Sequence, residues 1–156
     1  MSLPETAPIR VHQDAARFLE AVNATEAATG FATRLIEKDY FCTVLLQHLA
    51  PLDGALVFKG GTCLAKVHAG FYRLSEDLDF VIPMPTDASR SDRSARMAGM
   101  KNALAALPRQ RAAFRVVQPL TGANRSTQYI AAVGYTSGLS RQEDAITIEV
   151  GLREPL

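Results

Sequence analysis

Apolar positions recur at two different spacings along this chain, and the change of period separates helices from strands. Val11, Ala15, Phe18, Leu19 and Val22 return near the 3.6-residue period of a helix, and the pattern weakens through Thr25, Thr29 and Gly30. A second helix is predicted from an N-cap at Thr33, because Leu35, Ile36, Tyr40, Val44, Leu45 and Leu49 recur every three or four residues up to Pro51. Leu56 to Phe58 then reads as a short buried strand between Asp53-Gly54 and Gly60-Gly61, and Thr62 is expected to cap a short helix ending near Gly70. Leu78 to Ile82 forms a second strand, closed by Pro83 and Pro85. A third, long helix is predicted from Ser89 or Ser91 to Leu107, stopped by Pro108. Phe114 to Val117, Tyr129 to Tyr135 and Ile146 to Val150 complete the strands. The expected fold class is α+β, a mixed sheet of about five strands with helices packed on it.

Composition narrows the class without naming a function. The 156 residues fit one domain, and 47% hydrophobic with 21% charged residues is globular composition, not that of a disordered chain. No apolar run approaches the roughly 20 residues of a membrane helix, and the N-terminus carries no export pattern, so a cytoplasmic protein without a membrane partner is expected. Cys42 and Cys63 lack a metal-ligand or disulfide-framework spacing and read as reduced thiols. His12, His48 and His68 are scattered, and the latter two sit in helix patterns as structural residues. The net charge of +1 hides an asymmetry. Residues 90–125 hold eight Arg and Lys against Asp92 alone, +7, which leaves −6 elsewhere. That segment suits either a solvated helix face or a docking surface for a polyanion such as RNA.

Candidate chemistry concentrates in two strands and one turn. In Asp77-Leu78-Asp79-Phe80-Val81-Ile82 the alternation of strand side chains puts both carboxylates on one face and Leu78, Phe80 and Ile82 on the other. Like charges held side by side favour a cation between them, and hard oxygen ligands select Mg²⁺ or Mn²⁺; a solvated strand end is the bland alternative. Ile146, Ile148 and Val150 leave Glu149 on the face opposite the core, a candidate third carboxylate if the two strands are neighbours. Gly60-Gly61-Thr62, where a strand enters a helix, allows close backbone approach to a phosphate. The run matches neither the P-loop nor the dinucleotide fingerprint. Lys66 lies one turn beyond Thr62, and Arg73 and Ser75 precede the carboxylate strand.

The order and spacing of these parts carry a resemblance. Phe58-Lys59-Gly60-Gly61-Thr62-Cys63-Leu64-Ala65-Lys66, followed by Arg73-Leu74-Ser75-Glu76-Asp77-Leu78-Asp79-Phe80, resembles the signature of the AbiEii/AbiGii-type toxins, nucleotidyltransferases of type IV toxin-antitoxin and abortive-infection systems within the DNA polymerase β-like superfamily. Glu37-Lys38-Asp39-Tyr40 and Ile148-Glu149-Val150 with Arg153-Glu154 extend the likeness over about Lys38 to Glu154. The resemblance implies that Asp77, Asp79 and Glu149 are the catalytic and metal-binding positions and that Gly60, Gly61, Thr62, Lys66, Arg73 and Ser75 are nucleotide-binding ones. It also implies an NTP substrate, an RNA or tRNA acceptor and a cognate antitoxin. Family members are usually much longer, so residues 1–156 are expected to form one nucleotidyltransferase-like domain without the family's helical C-terminal half. A noncatalytic nucleotide- or partner-binding module and a metal-dependent phosphohydrolase are the competing readings.

Overall fold

The computed structural model describes residues 7–63, 74 and 76–154, with Thr62 described by its backbone only. Its first helix, α1 (Ala15–Thr29), is opened by Asp14, whose carboxylate accepts a 3.0 Å hydrogen bond from the Arg17 N–H, and closed by Gly30 at φ 73°. Val11, expected within that helix, instead belongs to a preceding 3₁₀ turn, Val11–Gln13. The next helix, α2 (Thr33–Leu49), starts without a side-chain cap. Ala32 is the N-cap and Thr33 the first helical residue, so the expected Thr33 cap is corrected: the Ala32 carbonyl already accepts from Leu35 and Ile36.

A short strand, β1 (Val57–Lys59), runs directly into α3, described as Gly60–Cys63. Thr62 therefore lies inside this element and does not cap it, because the chain turns at Gly60, two residues earlier. After β2 (Asp77–Pro83), α4 (Arg90–Gln110) is opened by a capping box in which Ser89 and Asp92 each satisfy the other's backbone N–H. Pro108 does not stop this helix. It sits in the last turn at a φ the helix accepts, and the Arg111 N–H still reaches the Leu107 carbonyl at 2.8 Å. The remaining strands are β3 (Phe114–Ala123), β4 (Gln128–Thr136) and β5 (Glu143–Arg153). Of these, β3 and β5 run well past the apolar stretches that signalled them. The extension of β3 contains Pro119 and two register shifts, tolerable because β3 is an edge strand.

The sheet order is β1-β2-β5-β4-β3, with β2 and β5 parallel and every other pair antiparallel. A mixed five-stranded α+β architecture follows, as the pattern predicts. One face carries Leu78, Phe80, Ile82, Ile146, Ile148, Val150, Tyr129 and Val133 into a contiguous core shared with Phe18, Phe41, Leu45, Met97 and Leu104 of the long helices. Phe41 stacks on Tyr135 with centroids 4.3 Å apart, which fixes α2 over β4. Because the helices occupy this face, the other is left for polar residues. Among the described residues, no helix is long and apolar enough to cross a membrane.

A buried polar clamp closes the far end of the core. Glu37, only 1% exposed, accepts from the Ser137 hydroxyl at 2.6 Å and the Gly138 N–H at 2.7 Å, tying α2 to the β4–β5 turn. The next residue, Lys38, is also buried and lies 3.5 Å from Asp144 and 3.9 Å from Glu76, the residue before β2. This segment of the helix thus anchors the start of both β2 and β5.

Candidate active site

The open face of β2 and β5 is built by alternation. Leu78 and Phe80 point to the core, so Asp77 and Asp79 emerge opposite, and Ile148 and Val150 impose the same on Thr147 and Glu149. Parallel pairing then sets Asp77 beside Thr147 and Asp79 beside Glu149. The adjacency of Glu149 to the Asp pair, which the sequence could only pose as a condition, is met across 70 positions of chain.

On its other side Asp79 faces β1, where its register partner is Lys59, the last residue before the glycine turn. Gly60 adopts φ 81°, a left-handed conformation that favours glycine. A Cβ placed on it would lie 2.5 Å from Asp79 Oδ2 and 3.2 Å from its Cβ and Cγ. The turn and the carboxylate therefore touch, and both the dihedral angle and the space demand glycine at residue 60. Gly61 follows within α3. The side chain of Thr62, and Lys66, Arg73 and Ser75 altogether, fall outside the described residues.

Among the described residues, like charge outweighs opposite charge around Asp79. Burial, then the neighbouring Asp77 carboxylate, and more weakly Glu149, raise Asp79 above the ordinary carboxylate range, while the Lys59 ammonium pulls it down. Two contributors were not legible as site residues. Lys59 enters through β1–β2 register alone. Gln128 enters through the β4 position that lets its Nε2 donate a 2.7 Å hydrogen bond to Glu149 Oε1. The Asn124 amide donates in turn to Gln128 Oε1 at 2.8 Å. Asn124, Arg125 and Ser126 hold φ values of 50°, 56° and 64°, three consecutive left-handed non-glycine residues that store strain in the turn feeding this relay.

The three carboxylates share a face, but among the described residues no three Asp, Glu, His or Cys groups converge into a ready-made metal cage. Hard oxygen donors with a raised Asp79 fit a divalent ion that keeps part of its coordination for water or phosphate, as Mg²⁺ commonly does.

The basic segment is partly spent internally. Arg96 forms a bidentate pair with Asp53, Arg115 pairs with Glu143, Arg93 donates to the Thr86 and Arg125 carbonyls, and Lys101 lies 5.1 Å from the Tyr129 ring centre. His12 shares a 2.7 Å hydrogen bond with the Tyr40 hydroxyl, and His48 sits on α2.

Comparison with known proteins places this geometry. The family model described as nucleotidyl transferase AbiEii toxin, type IV TA system, matches residues 44–156. The chain belongs to the AbiEii family. Two solved structures share its fold: a candidate nucleotidyltransferase from H. pylori, with a TM-score of 0.52 and 18% identity over 79% of this chain and 47% of that one, and JHP933 from Helicobacter pylori, with a TM-score of 0.53 and 17% identity over 81% and 47%. The AbiEii chain thus spans about half the length of the solved structures it matches. No curated protein sequence matches it.

Proposed function

We propose that this AbiEii domain is the nucleotide- and metal-binding part of a nucleotidyltransferase that moves an NMP from an NTP to an acceptor hydroxyl. RNA, and tRNA first, is the favoured acceptor, and a cognate antitoxin the favoured protein partner. One observation supports the reading: Asp79 abuts the Gly60 turn on one side and is paired in register with Glu149 on the other, the adjacency that a single site of glycine turn and carboxylates requires.

In this reading Asp77, Asp79 and Glu149 hold Mg²⁺ or Mn²⁺, which supplies charge neutralisation and orients phosphate oxygens. Gly60 and Gly61 let the NTP phosphates approach the backbone, with Thr62, Lys66, Arg73 and Ser75 as phosphate neighbours. Lys59 offsets the charge on Asp79, and Gln128 restrains Glu149 so that its free oxygen keeps one orientation. The acceptor oxygen bonds to the α-phosphorus, the bond to the β-phosphate oxygen breaks, and pyrophosphate leaves. The acceptor proton passes to one of the carboxylates.

The test incubates purified chain with Mg²⁺, total RNA and each NTP radiolabelled on its α-phosphate. Label in RNA, lost in Asp79→Asn, is the expected result; undiminished transfer by Asp79→Asn refutes the assignment. A second reading, a module that binds Mg·NTP without transferring it, is favoured by the half-length coverage of the solved structures. Binding without transfer, with transfer restored in a longer chain, establishes that alternative. Release of orthophosphate without pyrophosphate indicates a phosphohydrolase instead.

A further inference from the structure

A cleft of about 480 Å³ opens where the segment preceding α1 meets the end of α4. Arg10, His12 and Gln13 line one wall, Arg109, Gln110 and Arg111 the other, and Phe114 of β3 lies at its base. Phe114 points into the core under the helices and β3 is three strands away from β2, so the cleft shares neither face nor strand with Asp77 and Asp79.

Its lining includes Arg10, Arg109, Arg111 and His12, and none of its lining residues is acidic. Arg96 and Arg115 of the basic stretch are neutralised by Asp53 and Glu143, whereas Arg10, Arg109 and Arg111 have no ion pair among the described residues. The dipole at the end of α4 rewards one cation there, yet it does not explain why a second segment brings Arg10 and His12 to the same opening. Burial first, and the Arg111 charge second, depress both His12 and His48 below the ordinary imidazole range. The positive charge of the cleft is therefore uncompensated among the described residues. Guanidinium forks match tetrahedral oxyanions bidentately, and the volume admits a group the size of a nucleotide.

We propose that the Arg10–Arg109–Arg111 cleft binds a phosphate-bearing ligand, either a free phosphomonoester or a phosphodiester of a nucleic-acid strand. The inference stands apart from the proposed transferase reaction. Binding is followed by NMR of the His12 imidazole and of backbone amides around residues 109–114, in EDTA so that divalent-dependent binding elsewhere is silent. Three probes are titrated into the full chain: inorganic phosphate, a nucleoside monophosphate, and a short single-stranded RNA with hydroxyl ends.

A saturable shift at His12 and the 109–114 amides is expected, with the His12 pKa rising as the anion offsets Arg111. Arg109→Gln with Arg111→Gln should weaken it by about tenfold or more. Arg10→Gln, outside any helix, should weaken it also and decides the matter should the α4 variant not fold. Asp79→Asn should leave it unchanged. Saturation by monophosphate alone assigns a small-molecule source, and saturation by hydroxyl-ended RNA assigns a strand. Absence of shifts with all three probes, or affinities unchanged by the arginine substitutions, overturns the proposal.

Discussion

Substituting Gly60 by alanine probes the contact on which the site rests. The new Cβ would stand 2.5 Å from Asp79 Oδ2, inside any tolerable contact, and φ 81° must be held by a residue that disfavours it. The left-handed backbone costs about 1–2 kcal/mol, and moving the Asp79 carboxylate off its rotamer about 0.5–1.5 kcal/mol. Loss of glycine's unfolded-state freedom returns about 0.4–1 kcal/mol. The net is about 0.5–3 kcal/mol, which for a domain of this size lowers Tm by about 1–12 °C. The larger effect falls on function: a carboxylate turned from its place beside Glu149 should weaken Mg²⁺ binding about 10–100-fold. Calorimetric melts and isothermal titration of Mg²⁺ measure both. In an Asp79→Ala background, where the clashing oxygen is gone, the Gly60→Ala stability cost should fall by more than about 0.5 kcal/mol. Equal costs in the two backgrounds would show that turn and carboxylate are not in contact and do not belong to one site.

Other consequences follow from the same structure. Asp79 has a raised folded pKa, so its contribution to stability is present below the ordinary carboxylate pKa and lost as pH rises through the raised value. Added Mg²⁺ should therefore raise Tm most near pH 7 and little near pH 4, where protons compete; thermal melts with and without the ion check this, and a pH-independent increment contradicts it. Asp53 behaves oppositely. Its hydrogen bond from Arg96 lowers its pKa, so its stabilisation is full above the ordinary value and lost as pH falls through the lowered one. Arg96→Met should flatten the acid limb of the stability curve measured by urea melts across pH. Glu37→Ala leaves the buried Ser137 hydroxyl and Gly138 N–H without their acceptor and should cost about 3 kcal/mol in chemical denaturation, whereas Glu37→Gln, which keeps an acceptor for Gly138, should cost less.

What the chain reveals before folding is mostly what short-range periodicity can encode. Leu78, Phe80 and Ile82 alternate cleanly, so the face of Asp77 and Asp79 was readable, as was Glu149 opposite Ile148 and Val150. The start of α4 was readable only to within two residues, as Ser89 or Ser91, and the reciprocal bonds between Ser89 and Asp92 select the first. Thr33 and Thr62 misled for the converse reason: a hydroxyl at a helix start is a good cap only if the backbone begins to wind after it, and here winding begins sooner. Pro108 misled because a proline in the last turn gives up a bond without breaking those around it. Lys59, Gln128 and the partnership of Asp79 with Glu149 depend on register between distant strands, and no local pattern specifies that.

The last described strand, β5, is also the middle one of the sheet. During synthesis, β1 with β2 and β3 with β4 can each zip as separate hairpin-like halves, but neither half has its neighbour until β5 slides between them. Asp79 consequently waits for Glu149 until almost all of the described chain has been made. A polypeptide elongated only as far as β4 carries Asp77 and Asp79 without Glu149, so the acidic face is completed by the strand made last among those described and not by any local hairpin.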